Sequence, residues 1–168
     1  MNNSLMKIFF KLPFIIILFF GINSCDDTRI YEQNSSFDNQ FWMADSSKVF
    51  EIDIVDESLA YNVYLNMRNS STYPYYNIYV NYSLYDSLGS VIVKKLENNH
   101  LFEPKSGRSL GQSGIGDVFD HQFLILKNHE FNHSGKFTFE LQQYMRTDTL
   151  KGVLSVGIRV ENTTELER

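Results

Sequence analysis

The sequence predicts an all-β fold, an antiparallel β-sandwich of about seven strands, immunoglobulin-like or jelly-roll-like, behind a cleaved signal peptide. Three observations carry that expectation. Apolar and polar residues alternate with period two in several separate segments, and helical spacing fits none of them well. The chain holds 14 Phe and 10 Tyr, with β-branched residues between them, a mixture suited to pleated, half-buried surfaces. Polar turns separate the alternating runs at short intervals, as in sandwiches rather than in βαβ units.

The first 24 residues are set apart from the rest. Lys7 and Lys11 precede an apolar run, Leu12 to Gly21, and no charge appears between Leu12 and Cys25. A cationic start, a short apolar centre and a small residue before the cut define a secretory signal. A membrane-spanning helix needs ~20 apolar residues, and this run is shorter. Ile22-Asn23-Ser24-Cys25 resembles the lipobox of bacterial lipoproteins, with an aliphatic residue three before the cysteine and a small one just before it. Asn23 is larger and more polar than that pattern prefers. The resemblance implies cleavage before Cys25 and a diacylglyceryl thioether on it. Cys25 is the only cysteine, so it has no partner for an internal disulfide in an exported chain. Two or three acyl chains on one residue hold a protein at a membrane where a single chain does so only marginally.

Removal of the signal leaves 144 residues, the size of one ordinary domain. It leaves 13 basic against 20 acidic side chains, a net charge of −7. That balance argues against nucleic acid as a partner and against a basic membrane-surface patch. Asp26 to Asn39 is polar and weakly periodic and reads as a tether. Phe41 and Trp42 read as plugs at one end of the domain, the alternative being an exposed aromatic contact for a partner or a sugar.

Alternation begins at Val49, where Phe50, Ile52 and Ile54 face one way and Glu51 and Asp53 the other. Val63, Leu65 and Met67 then oppose Asn62, Tyr64, Asn66 and Arg68. Ile78, Val80, Tyr82 and Leu84 oppose Asn77, Tyr79, Asn81, Ser83 and Tyr85, and Asp86-Ser87-Leu88-Gly89 turns the chain into Ser90 to Leu96. Glu97 to Gly116 reads as a loop, with Phe119, Phe123 and Ile125 opening the next strand. Phe137, Phe139 and Leu141 form another inward row, Thr147 to Gly152 a turn, and Leu154, Val156, Ile158 and Val160 the last strand. The expected division is signal 1–24, lipidated tether 25–40, sandwich 41–162 and tail 163–168.

Few residues suggest chemistry. His129-Glu130-Phe131-Asn132-His133 spells H-E-x-x-H, which binds zinc only where a helix puts both histidines on one face. Gly135 and a strand pattern from Phe137 leave no room for that helix, and no histidine follows His133. A third ligand would have to be a carboxylate from elsewhere, such as Glu161. Gly111-Gln112-Ser113-Gly114-Ile115-Gly116 matches neither a dinucleotide fingerprint nor a phosphate loop and reads as a tight turn. Asp117, beside Asp120 and His121, is expected to accept backbone hydrogen bonds in that turn. Tyr64, Tyr79 and Tyr85 are expected either to expose rings to a sugar or protein, or to form a second buried face. No catalytic residue, metal ligand or cofactor site is expected.

Several spaced motifs resemble the GldH family of gliding-motility lipoproteins of Bacteroidetes. They are Tyr61 to Asn69, Tyr73-Pro74-Tyr75 with Asn77-Ile78, Gly114 to Asp120, Phe139 to Arg146, Gly157 to Glu161, and Ser24-Cys25-Asp26. Ile115 departs from the aromatic residue expected there. The resemblance implies an envelope lipoprotein, at the outer membrane or the periplasmic face of the inner one. It implies a role in gliding through contacts with other motility or secretion proteins, and only Cys25 as a functional site. The alternatives are a lipid-anchored carbohydrate-binding sandwich using exposed tyrosines and Trp42, and a zinc hydrolase on His129, Glu130 and His133.

Overall fold

A computed structural model describes residues 28–163; the signal segment, Cys25 and residues 164–168 lie outside the described residues. The described chain is antiparallel β structure. Its strands are β1 (Arg29–Ser36), β2 (Phe41–Met43), β3 (Lys48–Ile54), β4 (Ala60–Ser70), β5 (Asn77–Tyr85), β6 (Val91–His100), β7 (Gln112–Ser113), β8 (Val118–Glu130), β9 (Gly135–Gln143), β10 (Thr149–Lys151) and β11 (Val153–Asn162). One sheet has the order β1-β11-β4-β8-β7, the other β3-β9-β5-β6, and β2 pairs with β10 at one end.

The pairing is nested. β1 pairs with β11, β3 with β9, β4 with β8 and β5 with β6, as if one long hairpin had been rolled across two sheets. That is jelly-roll topology and decides between the two expected sandwiches. The two ends of the described chain therefore meet, with the Asn162 N–H donating to the Thr28 carbonyl at 2.8 Å.

The core forms where the alternating rows of the two sheets face each other. Phe50, Ile52 and Ile54 from β3, Phe137, Phe139 and Leu141 from β9, and Ile78, Val80, Tyr82 and Leu84 from β5 cover one side. Val63, Leu65 and Met67 from β4 and Val156, Ile158 and Val160 from β11 cover the other. Tyr82 carries a hydroxyl into this layer and donates it to the Ile125 carbonyl at 3.1 Å. Burial raises the Tyr82 pKa to about 12, with the charge of Glu97 adding to the rise.

Eleven strands among the described residues replace the expected seven or so, for identifiable reasons. The stretch read as a tether contains β1, an edge strand whose side chains are mostly exposed and so show no apolar alternation. Asn162 and Thr163, at the boundary of the expected tail, are held in the fold by backbone hydrogen bonds to Thr28 and Ala60. Glu97 to His100, read as the start of a loop, continues β6, and Thr149 to Lys151, read as a turn, is β10. β6 is also an edge strand. Its Lys95 and Glu97 lie opposite the inward-facing Tyr82 and Val80. Inward-pointing charges on an edge strand discourage pairing with another chain. In β8, register shifts against β4 between Tyr61 and Tyr64 break the two-residue period, so Ile125 and Leu126 are both buried. A similar shift near the start of β11 puts Val153, rather than Leu154, in the core.

Trp42 plugs the sandwich as expected, whereas Phe41, on the other face of β2, is exposed. Trp42 is fully buried, pairs across β2–β10 with Leu150, and donates its Nε1–H to the Ser46 carbonyl at 2.8 Å. The Phe37 ring lies 5.5 Å away.

Candidate functional site

The outer face of the five-stranded sheet carries a set of polar groups linked by hydrogen bonds and ion pairs. Outward residues line up across it: Glu32 and Asn34 on β1, Gly157 and Arg159 on β11, Asn66 and Arg68 on β4, and Asp120 and Gln122 on β8. Strand alternation places Gly157, Arg159 and Asn66 there, between core residues of β11 and β4, and the β1 and β8 residues lie opposite these or Arg68 in register. A cleft of about 740 Å³ runs over this face, lined by Glu32, Asn34, Asn66, Arg68, Asp120 and Gln122 among others.

The polar groups are coupled into chains. Gln122 donates to the Asn66 Oδ1 at 3.1 Å, and Asn66 donates to the Glu32 Oε1 at 2.8 Å. Arg29 and Arg159 also hold Glu32, at 2.8 and 3.3 Å. Glu32 is drawn below the usual carboxylate range: burial opposes this, but hydrogen bonds from Arg29 and Asn66 and the charges of Arg159 and Arg29 together outweigh it. Arg68 grips Asp120 bidentately, at 2.6 and 3.0 Å. Arg159 also pairs with Glu161. Such a surface presents donors and acceptors that hold one another in place.

Beneath the rim of this face lies His121. It is buried, stacked on Phe123 with ring centroids 5.8 Å apart, and edge-on to Phe102. Its Nε2 is buried with no hydrogen-bond partner among the described residues. Desolvation lowers its pKa to about 4, the Asp120 charge opposing that only in part. An imidazole free in the unfolded chain takes up a proton near pH 6.5, the folded one only near pH 4. The stability associated with the neutral ring is therefore present above pH 6.5 and is lost as pH falls towards 4, by about 2–3 kcal/mol. His121→Phe is expected to reduce the loss of stability between pH 7 and pH 4.5 by about 2 kcal/mol, read by urea unfolding at both pH values. Equal acid limbs in the two proteins would show that the ring is solvated.

The other sequence candidates are dispersed. His129 and Glu130 are the last two residues of β8 and His133 lies in the turn before β9, so H-E-x-x-H occupies a strand end and a turn instead of a helix. The two rings pack on different phenylalanines, His129 edge-on to Phe131 and His133 stacked on Phe137, each at 4.7 Å. Glu161 is engaged by Arg159. Among the described residues no three His, Cys, Asp or Glu side chains are grouped to hold a metal ion. In the glycine cluster Gly116 has φ +76°, the left-handed turn position expected. Gly111 serves differently: a Cβ there would lie 2.7 Å from the His121 ring. Asp117 uses its own carbonyl, which accepts the Ser71 N–H at 2.8 Å.

The tyrosines do not form one platform. Tyr64 lies on the outer face of the five-stranded sheet, and Tyr79 and Tyr85 on the other sheet. Tyr64 and Tyr85 are half-buried, and the Tyr85 hydroxyl donates to Glu140 at 3.0 Å. With Trp42 in the core, the aromatic contact surface for a sugar loses its main residue.

Residues 29–160, which span the sandwich from β1 to β11, match the family model described as GldH lipoprotein. The chain belongs to the GldH lipoprotein family. It is 34% identical over 161 residues to the gliding motility lipoprotein GldH homolog of Christiangramia forsetii, covering 92% of this chain and 94% of that one. It is 26% identical over 145 residues to the gliding motility lipoprotein GldH of Flavobacterium johnsoniae, covering 82% and 87%. In this GldH-family chain, three of the segments that carry the resemblance are far apart in sequence and meet on one surface. Tyr61 to Asn69 supplies Asn66 and Arg68, Gly114 to Asp120 supplies Asp120, and Gly157 to Glu161 supplies the central strip of β11. Sequence reasoning missed Glu32 and Asn34, which complete this surface from a strand without an apolar signature.

Proposed function

We propose that this chain is a lipid-anchored protein of the cell envelope that serves gliding motility through protein contacts rather than catalysis. Family membership across the whole sandwich carries the reading. The polar outer face of the five-stranded sheet supports it as the contact surface. Its charged and amide groups are prearranged by one another, so a partner meets fixed donors and acceptors at little entropic cost. The two histidines of H-E-x-x-H, His129 and His133, sit apart from that face, on a strand end and a turn.

Cys25 is the residue that places the protein, through a thioether-linked diacylglycerol at the outer membrane or the periplasmic face of the inner one. The partners are other motility or secretion proteins of the envelope. Cys25→Ala in the native organism, scored by membrane fractionation and colony spreading, tests both halves. Soluble protein and arrested spreading are expected. Soluble protein in cells that still spread would sink the requirement for an anchored motility role. Protein that stays with the membrane would sink lipidation at Cys25.

A further inference from the structure

Cys25 is followed by only three residues, Asp26, Asp27 and Thr28, before β1 begins at Arg29. Three residues reach at most about 11 Å even when fully extended. Thr28 is also fastened to the fold through its carbonyl, which accepts the Asn162 N–H. A lipid on Cys25 therefore leaves no free tether, and one end of the sandwich is confined to the bilayer surface. β4 alone, 11 residues long, extends about 36 Å from that end, so the opposite end is out of reach of the lipid.

The Thr28 end gathers three turns. Residues 55–59 link β3 to β4, with the Tyr61 hydroxyl donating to the Asp56 carbonyl at 2.7 Å. Residues 131–134 link β8 to β9, and Phe131 packs edge-on against Tyr61 at 5.6 Å. Residues 86–90 link β5 to β6 and lie beside the 131–134 turn, because Tyr85 at the end of β5 is opposite Thr138 near the start of β9. Two of these turns carry a large apolar side chain with nothing to pack on: Val55 is 84% exposed and Leu88 is 89% exposed. Single exposed apolar residues are ordinary on protein surfaces. These two are distinguished by sharing the end that the anchor holds down.

The Leu88 turn is also rigid. The Asp86 carboxylate accepts from the Leu88 and Ser90 N–H groups at 2.9 and 2.8 Å, and the Gly89 N–H donates to the Asp86 carbonyl at 3.0 Å. Asp56 caps the other turn in the same way, accepting from the Ser58 N–H at 2.9 Å. The acidic groups at this end are thus partly occupied by backbone donors. Val55 and Leu88 offer hydrocarbon beside them.

We infer that the domain stands on the membrane by its Thr28 end, with Val55 and Leu88 seated in the lipid interface beside the acyl chains of Cys25. The inference rests on the lipidation of Cys25 proposed above. The occupant of this surface is the bilayer itself, and zwitterionic lipid suits it, because Asp56, Glu57 and Asp86 lie in these turns and Glu130 ends β8 beside them. The opposite end, where Ile115 is fully exposed on the turn before β8, points away from the membrane.

The single native cysteine makes a direct test possible. With Cys25 lipidated, Leu88→Cys, Val55→Cys or Ile115→Cys each provides one free thiol for an environment-sensitive fluorophore. The full lipidated chain is placed in phosphatidylethanolamine–phosphatidylcholine vesicles and quenched with aqueous iodide and with bromine-labelled lipid. Labels at 88 and 55 are expected to be several-fold less accessible to iodide than the label at 115, and quenched by the lipid. Equal iodide quenching at all three positions, on protein that remains vesicle-bound, would overturn the orientation and leave the anchor standing. Reaction of Cys25 itself with maleimide in the denatured, unsubstituted protein would overturn both.

Discussion

Phe139→Ala is expected to lower the unfolding free energy by about 3–5 kcal/mol, the range for removing a buried aromatic side chain. Phe139 is fully buried at the middle of β9. β9 is an interior strand, and Phe139 lies opposite Phe50 on β3 and Leu84 on β5. No loop adjoins it, so the cavity is lined by strands that are hydrogen-bonded on both sides and collapse poorly. A domain of this size holds about 5–15 kcal/mol in all, so the variant is expected to lie near the edge of folding. Urea unfolding of the 25–168 chain measures it, with Thr138→Ala, on the opposite face of the same strand, as the comparison. A loss below about 1 kcal/mol for Phe139→Ala would mean that the two sheets do not close over this residue.

Gly157→Val is expected to act on one strand more than on the core. Gly157 lies between Asn34 of β1 and Asn66 of β4. A Cβ there would come within 2.1 Å of the Asn34 Oδ1 and 2.3 Å of the Gln33 carbonyl oxygen. The Asn34 side chain can turn aside, but the Gln33 carbonyl belongs to the backbone of β1, so the strand itself has to move. Overpacking of this kind costs roughly 1–3 kcal/mol, and here the cheapest relief is to release an edge strand. Amide hydrogen exchange is expected to show lost protection in β1 with the β3-β9-β5-β6 sheet preserved. Unchanged protection of β1 would show that Gly157 is not a contact point. Release of β1 would also give the lipidated chain the free tether that the folded domain lacks, and would dismantle the Glu32–Asn66–Gln122 chain on the polar face.

The alternating strands were legible because each buries one side against a large core. β3, β4, β5 and β9 follow their period-two rows closely, with Phe50, Leu65, Val80 and Phe139 all inward. β1 was not legible, since it lies at an edge with no side chain fully buried and its sequence, Arg29 to Ser36, looks like a linker. β8 was half legible, because register shifts put Ile125 and Leu126 on one side where strict alternation puts only one of them. The candidate surface was legible only as disconnected motifs. Arg68 and Asp120 are 52 residues apart in sequence, and no local pattern foretells a bidentate pair at that separation. His129 and His133 show the converse. Their spacing is legible, but its meaning depends on a helix, and Gly135 with the Phe137 row already argued against one.

By itself, the sequence determined the all-β class, the inward rows, the family to which the chain belongs, and the single cysteine on which the anchoring proposal rests. Those properties are written in neighbouring residues: period two, a lone Cys after an apolar run, and ordered motifs. The tertiary structure alone decided that the sandwich is a jelly roll, that β1 closes its sheet within a few residues of Cys25, and that Glu32, Asn66, Arg68 and Asp120 share one face. Strand order and edge pairing follow from backbone hydrogen bonds between distant segments. Those bonds are chemically the same at every residue, so side-chain pattern leaves no trace of which strands they join.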